Sequence, residues 1–377
     1  MVVPSARSAA RAASVLLLTM HCVRSDAEVA IGVQIQSLLE HKLDIFWEMG
    51  EVSSPLGFLH GGAIFATNSY IGHVFVFKLN GVEQGRVTVK GTSTWYVLKD
   101  AKSEERYPAL WKSSAERTQF ELNYFKETGK LWFGYWPKSP SNLHMWNVSE
   151  VGQSWSVESA EDGVPFKQEL TVMSTSPKVL LAKDFISHED ADEIIRLATP
   201  LMRRSTTGDA EAALTDTTRT SSQVFLPKHH QIVKKIYADV SILLNIDQKT
   251  IMRQSEDLQV VHYEVGQQYK AHHDWGKDKV TRFVTVLLYL NDQASAAAGG
   301  ETYFEKANGG EGLKVHPGKG SAVIFYNLLE DGSADDMSMH AALPVVEGEK
   351  YICNVWLRDY QDAKVPNPEY LHEEDEL

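Results

Sequence analysis

Three short stretches carry residue types that could hold a metal and place a charge beside it. In YKAHHDWG, residues 269–276, two histidines stand side by side with an aspartate directly after them. The segment lies on or beside a strand, where side chains two apart point the same way. His272 and Asp274 then share a face, and His273 points opposite as a bystander. A lone H-x-D is common, so a third ligand must come from elsewhere. MSMHAALPVVEGEKYICNVW supplies it: His340 precedes a strand region, and Lys350 follows ten residues later. Two imidazoles and one carboxylate make the facial triad that grips Fe(II) and leaves positions open. Those positions admit a bidentate co-substrate and dioxygen. Lys350 then has a purpose, as the cation that anchors the far carboxylate of 2-oxoglutarate. Zinc is the competing metal, and it would leave the lysine unexplained.

The elements that must position these residues begin near Pro177. KVLLAKDFIS is expected to be an entering strand. Ser187, with Asp190 three residues on, resembles a capping box, and Ala191, Ile194, Ile195 and Ala198 share one helical face. Pro200 stops that helix. A second helix follows Pro227, with Ile232, Val233, Ile236, Val240 and Leu243 at helical spacing. From Asp257 the pattern turns to strands in LQVVHYEV, TRFVTVLLYLN, GSAVIFYN and YICNVWLR. Helices followed by a run of strands imply helices supporting an antiparallel sandwich. Further upstream, residues 28–100 alternate in the strand manner around turns such as Asn80-Gly81, which indicates a small β domain. Residues 101–175, rich in Trp, Ser and Pro, read as an irregular connecting module.

YEVGQQYKAHHD, TRFVTVLLYLND, GGETYF, HPGKGSAVIFYN and SMHAALPVVEGEKYICNVWLR resemble, in that order, the catalytic domain of prolyl 4-hydroxylases of the collagen and plant type. These are Fe(II)/2-oxoglutarate-dependent dioxygenases, and the resemblance runs from about residue 177 to 360. It implies an α+β chain whose residues 176–360 form a double-stranded β-helix, or jelly-roll, with supporting helices. It also implies His272, Asp274 and His340 as iron ligands and Lys350 as the anchor of the C5 carboxylate of 2-oxoglutarate. Tyr263 and Thr302 match residues lining the co-substrate pocket. Arg282, Trp356 and Tyr269 match residues near the peptide substrate. As core aromatics, a strand hydroxyl and a surface charge, these same residues would have no such role. Gly299-Gly300 would permit a tight turn.

The implied reaction couples conversion of 2-oxoglutarate and dioxygen into succinate and carbon dioxide to hydroxylation of peptidyl proline. Ascorbate is the rescuing reductant by resemblance. The activity is thus like that of a procollagen-proline 4-dioxygenase, acting on a proline-rich peptide or protein. One departure concerns the peptide: only Trp275 to Thr281 separate Asp274 from Arg282, where the family often has a longer covering stretch. Lysine at position 350, rather than arginine, favours this family over lysyl hydroxylases and oxygen-sensing prolyl hydroxylases. The competing readings are an oxygenase acting on another residue, such as lysine, and a catalytically silent lumenal peptide-binding protein. A complete ligand set disfavours the silent protein.

The stretch LDIFWEMGEVSSPLGFLHGGAIFATNSYIGHVFVF more faintly resembles the β domain of the von Hippel–Lindau tumour suppressor, which is β-sandwich-like and binds hydroxyproline. Ser69 and His73 match residues that contact hydroxyproline there. Phe75 stands where that family has tryptophan, and the pocket tyrosine falls on Leu56. The resemblance implies hydroxyproline recognition, which would raise the local concentration of a repetitive substrate.

The chain has 377 residues, enough for two domains, and a net charge of −13, which argues against nucleic-acid binding. At the amino end, Arg7 and Arg11, the apolar run Ala12 to Met20 and the small residues of Ser25-Asp26-Ala27 read as a signal peptide over 1–27. That run is far shorter than the roughly 20 residues of a membrane span, so none is expected after cleavage. The acidic tail, 361–377, closes on Glu374-Asp375-Glu376-Leu377, which resembles the KDEL class of retrieval signals. Asn147-Val148-Ser149 is a glycosylation sequon. Together these place the protein in the lumen of the endoplasmic reticulum. Cys22 would leave with the signal, so Cys353 stays alone and no internal disulfide is expected.

Overall fold

A computed structural model of the chain describes residues 31–50, 52–133, 136, 141–159, 165–205, 219–276, 281–295 and 297–360. The expected signal peptide and the acidic tail with its retrieval motif lie outside the described residues. The chain divides into two compact units, 1–132 and 133–377. Among the described residues no helix is long and apolar enough to cross a membrane.

The first unit is a β-sandwich. Strands β1 (Ile31–Ser37), β2 (Leu43–Met49), β3 (Val52–Leu59), β4 (Ile64–Ser69), β5 (Val74–Leu79), β6 (Val82–Thr88) and β7 (Trp95–Leu98) form two sheets, ordered β4-β1-β7 and β3-β2-β5-β6. Alternation drives the two together. Val33 and Ile35 from one sheet and Leu43, Ile45, Phe75 and Phe77 from the other share one buried cluster.

After a short helix, α1 (Ser103–Arg106), comes α2 (Pro108–Thr128), a 21-residue helix begun by proline and closed by Gly129 at φ 69°. This corrects the expectation of an irregular module over 101–175. The helix escaped notice because its buried face includes Ser114, Arg117 and Glu121, polar residues at helical spacing, so no apolar stripe marks it. The Glu121 carboxylate accepts from Arg117 Nε at 2.8 Å, Ser93 Oγ at 2.8 Å, and the backbone N–H groups of Thr94 and Trp95 at 2.8 and 3.1 Å. It thereby satisfies the turn that enters β7.

The second unit contains β8 (Ser154–Ser159), β9 (Phe166–Thr175), β10 (Lys178–Ala182), β11 (Arg203–Arg204), β12 (Ser222–Leu226), β13 (Leu258–Tyr263), β14 (Tyr269–His272), β15 (Thr281–Tyr289), β16 (Thr302–Phe304), β17 (Leu313–Val315), β18 (Ala322–Tyr326), β19 (His340–Ala342) and β20 (Lys350–Asp359). A nine-stranded sheet, β11-β12-β13-β20-β15-β18-β10-β9-β8, faces a four-stranded one, β14-β19-β16-β17. This is the expected jelly-roll, begun earlier than Pro177 because β8 and β9 belong to its larger sheet. Residues 154–159 and 166–175 of the supposed connector are therefore sheet as well.

Strand parity divides the large sheet into two faces. Val261, Tyr263, Leu287, Tyr289, Val323, Phe325 and Ile352 point towards the small sheet and pack with its Phe304, Val315 and Ala342. Their neighbours Val260, Leu288, Ile324 and Cys353 point the other way, onto helices α3 (His188–Ala198) and α4 (Gln231–Leu244). Asp190 N–H donates to Ser187 Oγ at 3.0 Å at the start of α3, as the sequence predicts. Helix α4 buries Val233, Ile236, Val240 and Leu243, each contributing about 1.5–3 kcal/mol relative to exposure. Cys353 is a buried free thiol.

Replacing Glu121 by alanine removes the buried carboxylate to which Arg117, Ser93 and two backbone N–H groups donate inside the first unit. We expect a loss of about 3–5 kcal/mol in the stability of that unit. Chemical denaturation followed through fluorescence of Trp95 and Trp132 measures it.

Candidate metal centre

The ligand-bearing strands meet by pairing. On the small sheet His272 of β14 and His340 of β19 are cross-strand partners, with their rings 4.4 Å apart. Each ring is aimed by its own backbone. The Lys270 carbonyl lies 2.8 Å from His272 Nδ1, and the Ser338 carbonyl 3.0 Å from His340 Nδ1. Carbonyls only accept, so both Nδ1 atoms carry the proton and both Nε2 atoms present lone pairs inward. Burial, then the neighbouring His340, pushes the His272 imidazole down to about 3, which keeps it neutral as a ligand must be.

Asp274 completes the set. One ligand atom each from His272, Asp274 and His340 lie within 4.8 Å of one another. The Asp274 Oδ2 accepts from Thr285 Oγ1 at 2.7 Å and Trp356 Nε1 at 3.0 Å. Thr285 and Trp356 are themselves partners across β15 and β20. Thr285 Oγ1 already accepts from Asn327 Nδ2 at 3.0 Å, so its proton is directed at the carboxylate. Burial alone would raise the Asp274 carboxyl. The Arg282 guanidinium beside it and the hydrogen bond from Thr285 override burial and hold it well below the usual carboxylate range.

The co-substrate end is built by the next partners along. Tyr263 of β13 pairs with Lys350 of β20. The ammonium of Lys350 belongs to a residue only 3% exposed. It stands 5.7 and 5.5 Å from the ring centres of Tyr263 and Tyr289 and 3.5 Å from Thr302 Oγ1. Among the described residues no carboxylate lies within ion-pair distance of it. Burial without such a partner pushes Lys350 down to about 7. Gly299 and Gly300, at φ 70° and 73°, make the tight turn that enters β16 and Thr302. A cavity of about 360 Å³ joins the two ends, lined by the triad together with Tyr263, Thr302 and Tyr269.

Comparison with known proteins agrees with this geometry. Residues 258–358 match the 2OG-Fe(II) oxygenase superfamily. Probable prolyl 4-hydroxylase 8 of Arabidopsis thaliana is 33% identical over 216 residues, covering 51% of this chain and 72% of that protein. The chain belongs to the prolyl 4-hydroxylase family. Prolyl 4-hydroxylase 5 of the same plant is 33% identical over 214 residues, 50% of this chain and 71% of its own. The solved structure of a viral collagen prolyl hydroxylase from Paramecium Bursaria Chlorella virus-1, in a 2OG complex, is 28% identical with a TM-score of 0.39, covering 48% of this chain and 95% of that one.

As a 2OG-Fe(II) oxygenase of this family, the chain uses ferrous ion, 2-oxoglutarate and dioxygen. The residues present fit that group. Two imidazoles and a carboxylate form one compact donor set, and a buried ammonium with no carboxylate in ion-pair distance among the described residues stands beside Thr302. In this hydroxylase the residues expected near the peptide also touch the ligands. Tyr269 stacks on His272 with centroids 3.6 Å apart. Arg282 lies 3.3 Å above the Trp356 ring, donates to both oxygens of Glu256 at 2.7 and 2.9 Å, and has NH1 3.8 Å from Asp274. Arg282 is therefore no solvated surface charge.

Sequence reasoning missed Thr285, Tyr289, Asn327 and Glu256, which look like ordinary strand or loop residues until the strands are paired. It also missed Arg219, a buried arginine lining the cavity with its guanidinium 4.7 Å from the Tyr269 ring. An arginine after a long polar stretch carries no sequence signal of burial. His273 departs from expectation too. It lines the same cavity, and its Nε2 lies 3.2 Å from the Asp336 carbonyl.

Were the ammonium form of Lys350 to anchor the carboxylate, as the resemblance implies, its depressed value would link co-substrate affinity to pH. Below about 7 the site is charged and binding is at its plateau. Above it the free enzyme loses the proton, and the Kd for 2-oxoglutarate rises by up to about tenfold per pH unit. Calorimetric titration of the Mn(II)-loaded enzyme between pH 6 and 9 measures this. Trp356→Phe removes one of the two neutral hydrogen bonds to Asp274 Oδ2. We expect on the order of tenfold weaker metal binding, read by Mn(II) titration.

Proposed function

We propose that this protein converts peptidyl proline to 4-hydroxyproline in proteins of the secretory pathway, releasing succinate and carbon dioxide. The observation that carries the proposal is the buried ammonium of Lys350, without a carboxylate partner among the described residues and 3.5 Å from Oγ1 of Thr302, a residue that lines one cavity with a compact His-Asp-His set. When bound at His272, Asp274 and His340, ferrous ion supplies the activation of dioxygen that the coupled oxidation of 2-oxoglutarate and substrate requires. The protein's own part is placement. Lys350 and Thr302 take the C5 carboxylate, and Tyr263 closes one wall. Thr285 and Trp356 fix the Asp274 carboxylate beside the cavity that it lines with both histidines. Tyr269, Arg282 and Trp356 line the same cavity as the triad, which supports a role for them in holding the peptide. Ascorbate serves as the rescuing reductant.

The compartment we propose is the lumen of the endoplasmic reticulum, supported by exposure of Asn147 within its sequon. Proline-rich and Gly-Xaa-Pro peptides incubated with enzyme, Fe(II) and 2-oxoglutarate should gain one oxygen on proline, located by mass spectrometry. Oxygen on lysine would overturn the substrate and spare the chemistry. Absence of both peptide oxidation and succinate would mark a silent binding protein. Lys350→Ala should raise the KM for 2-oxoglutarate by about two orders of magnitude, the loss of a buried charged hydrogen bond.

For the first unit we propose hydroxyproline recognition. Support comes from Ser69 Oγ, 3.0 Å from His73 Nδ1, and from the Trp47 and Tyr70 rings, 5.1 and 5.2 Å from the His73 ring. Such a hydroxyl–imidazole pair beside aromatic rings suits a hydroxylated pyrrolidine. Phe75 is a core residue and Leu56 is exposed, so neither supplies an aromatic wall. The full chain without iron should bind hydroxyproline peptides more tightly than proline peptides, and Ser69→Ala should erase the difference. Equal affinities in the unaltered protein would remove the proposal.

A further inference from the structure

The turn before His340 holds both halves of the metal site at once. Residues 336–338 form one turn of 3-10 helix, entered through Asp335. On one side the Ser338 carbonyl aims His340 through Nδ1. On the other, the Asp335 carbonyl accepts from Trp275 Nε1 at 3.1 Å and the Asp336 carbonyl from His273 Nε2 at 3.2 Å. His273 and Trp275 are the chain neighbours of Asp274, so all three ligand-bearing positions depend on where this turn sits. Its inner shape is set by Asp335, whose carboxylate accepts from Met337 N–H at 2.9 Å and whose own N–H donates to the Asn327 carbonyl at 2.9 Å. From outside, the turn is gripped by Lys306, two residues beyond β16. Its Nζ donates to Asp336 Oδ2 at 2.6 Å and to the Asp336 carbonyl at 3.3 Å.

We propose that Lys306 is a positioning residue for the metal centre: by clamping Asp336 it holds the 335–338 turn where its carbonyls aim His340 and fix the His273–Trp275 segment. This rests on the ferrous-site reading above. Lys306 is not one of the three ligand residues and does not line the cavity, so it acts through ligand geometry. Its side chain is 20% exposed and that of Asp336 41%. An ion pair with that much water contact adds little to global stability. The same pair can still matter to a metal, because outer contacts that orient ligands change affinity by about tenfold or more.

The test uses the full, metal-free chain titrated with Co(II), read by its d–d absorption, beside the thermal midpoint of the same protein. Lys306→Met should weaken Co(II) binding about tenfold and alter the band shape, with the metal-free midpoint unchanged. Asp336→Asn, which removes the carboxylate but keeps the carbonyl that Lys306 also reaches, should weaken binding by no more than Lys306→Met, and the double variant should cost no more than Lys306→Met alone. Lys306→Arg should restore binding. Unchanged affinity in Lys306→Met overturns the proposal. So does an equal loss in Lys306→Arg, or a loss matched by a fall in the metal-free midpoint. Failure of the unaltered protein to bind Co(II) would instead strike the ferrous-site reading first, and this proposal with it.

Discussion

A carboxylate that is almost wholly removed from water governs the second unit. The Asp274 side chain is only 5% exposed. An ionised group there is costly unless charges and hydrogen bonds offset its lost hydration. Thr285, Trp356 and Arg282 supply the offset, and they come from the two central strands of the large sheet. Arg282 in turn needs its own partner, since one guanidinium facing one distant oxygen would be poorly satisfied. Glu256 takes that place and also accepts from Arg358 Nε at 2.9 Å. Two arginines and two acids thus close a network around the Asp274 carboxylate, with Thr285 and Trp356 donating to Oδ2 and Arg282 NH1 3.8 Å from Oδ1. Placement of the large sheet and preparation of the ligand are one physical problem, solved by the same contacts.

Cross-strand pairing explains why the site could be assembled from distant segments. Three pairs do most of it: Tyr263 with Lys350, Thr285 with Trp356, and His272 with His340. A strand's period is two, so a slip of one residue in β20 would send Lys350, Asn354 and Trp356 to the helix side and Cys353 and Val355 into the cavity. The apolar contacts of Val355 and Leu357 on α4's side forbid that slip. Core packing on one face therefore sets chemistry on the other.

The same parity accounts for what could be read from the amino acids alone. His272, Asp274, His340 and Lys350 have few common reasons to stand at such spacings, and the strands around them alternate plainly. Those positions and the sandwich of sheets were legible. Thr285 and Asn327 were not, because a threonine in a strand and an asparagine after one have many ordinary uses. Their value depends on which atoms they face, and only pairing decides that. Helix α2 failed for another reason. Its inward face is built around Glu121, and a periodicity search that looks for apolar stripes passes over a buried carboxylate. Strands β8 and β9 were legible in principle, since Leu170 and Val172 alternate with polar residues. The tryptophans and prolines just upstream drew them into an apparent connector.

The choice of lysine at position 350 also follows from the walls around it. The ammonium sits between the rings of Tyr263 and Tyr289, with Thr302 as its nearest polar neighbour. A compact point charge fits there and offers its protons in any direction. A guanidinium is broad and planar, and it would need acceptors for five N–H groups in a space that presents aromatic faces. Burial of the ammonium leaves that end of the site without a carboxylate in ion-pair distance among the described residues. On the proposed reading, the far carboxylate of a dicarboxylic acid would face Lys350 while its near end would reach the metal held by His272, Asp274 and His340. The affinity for co-substrate would then draw on a cost already present in the folded chain.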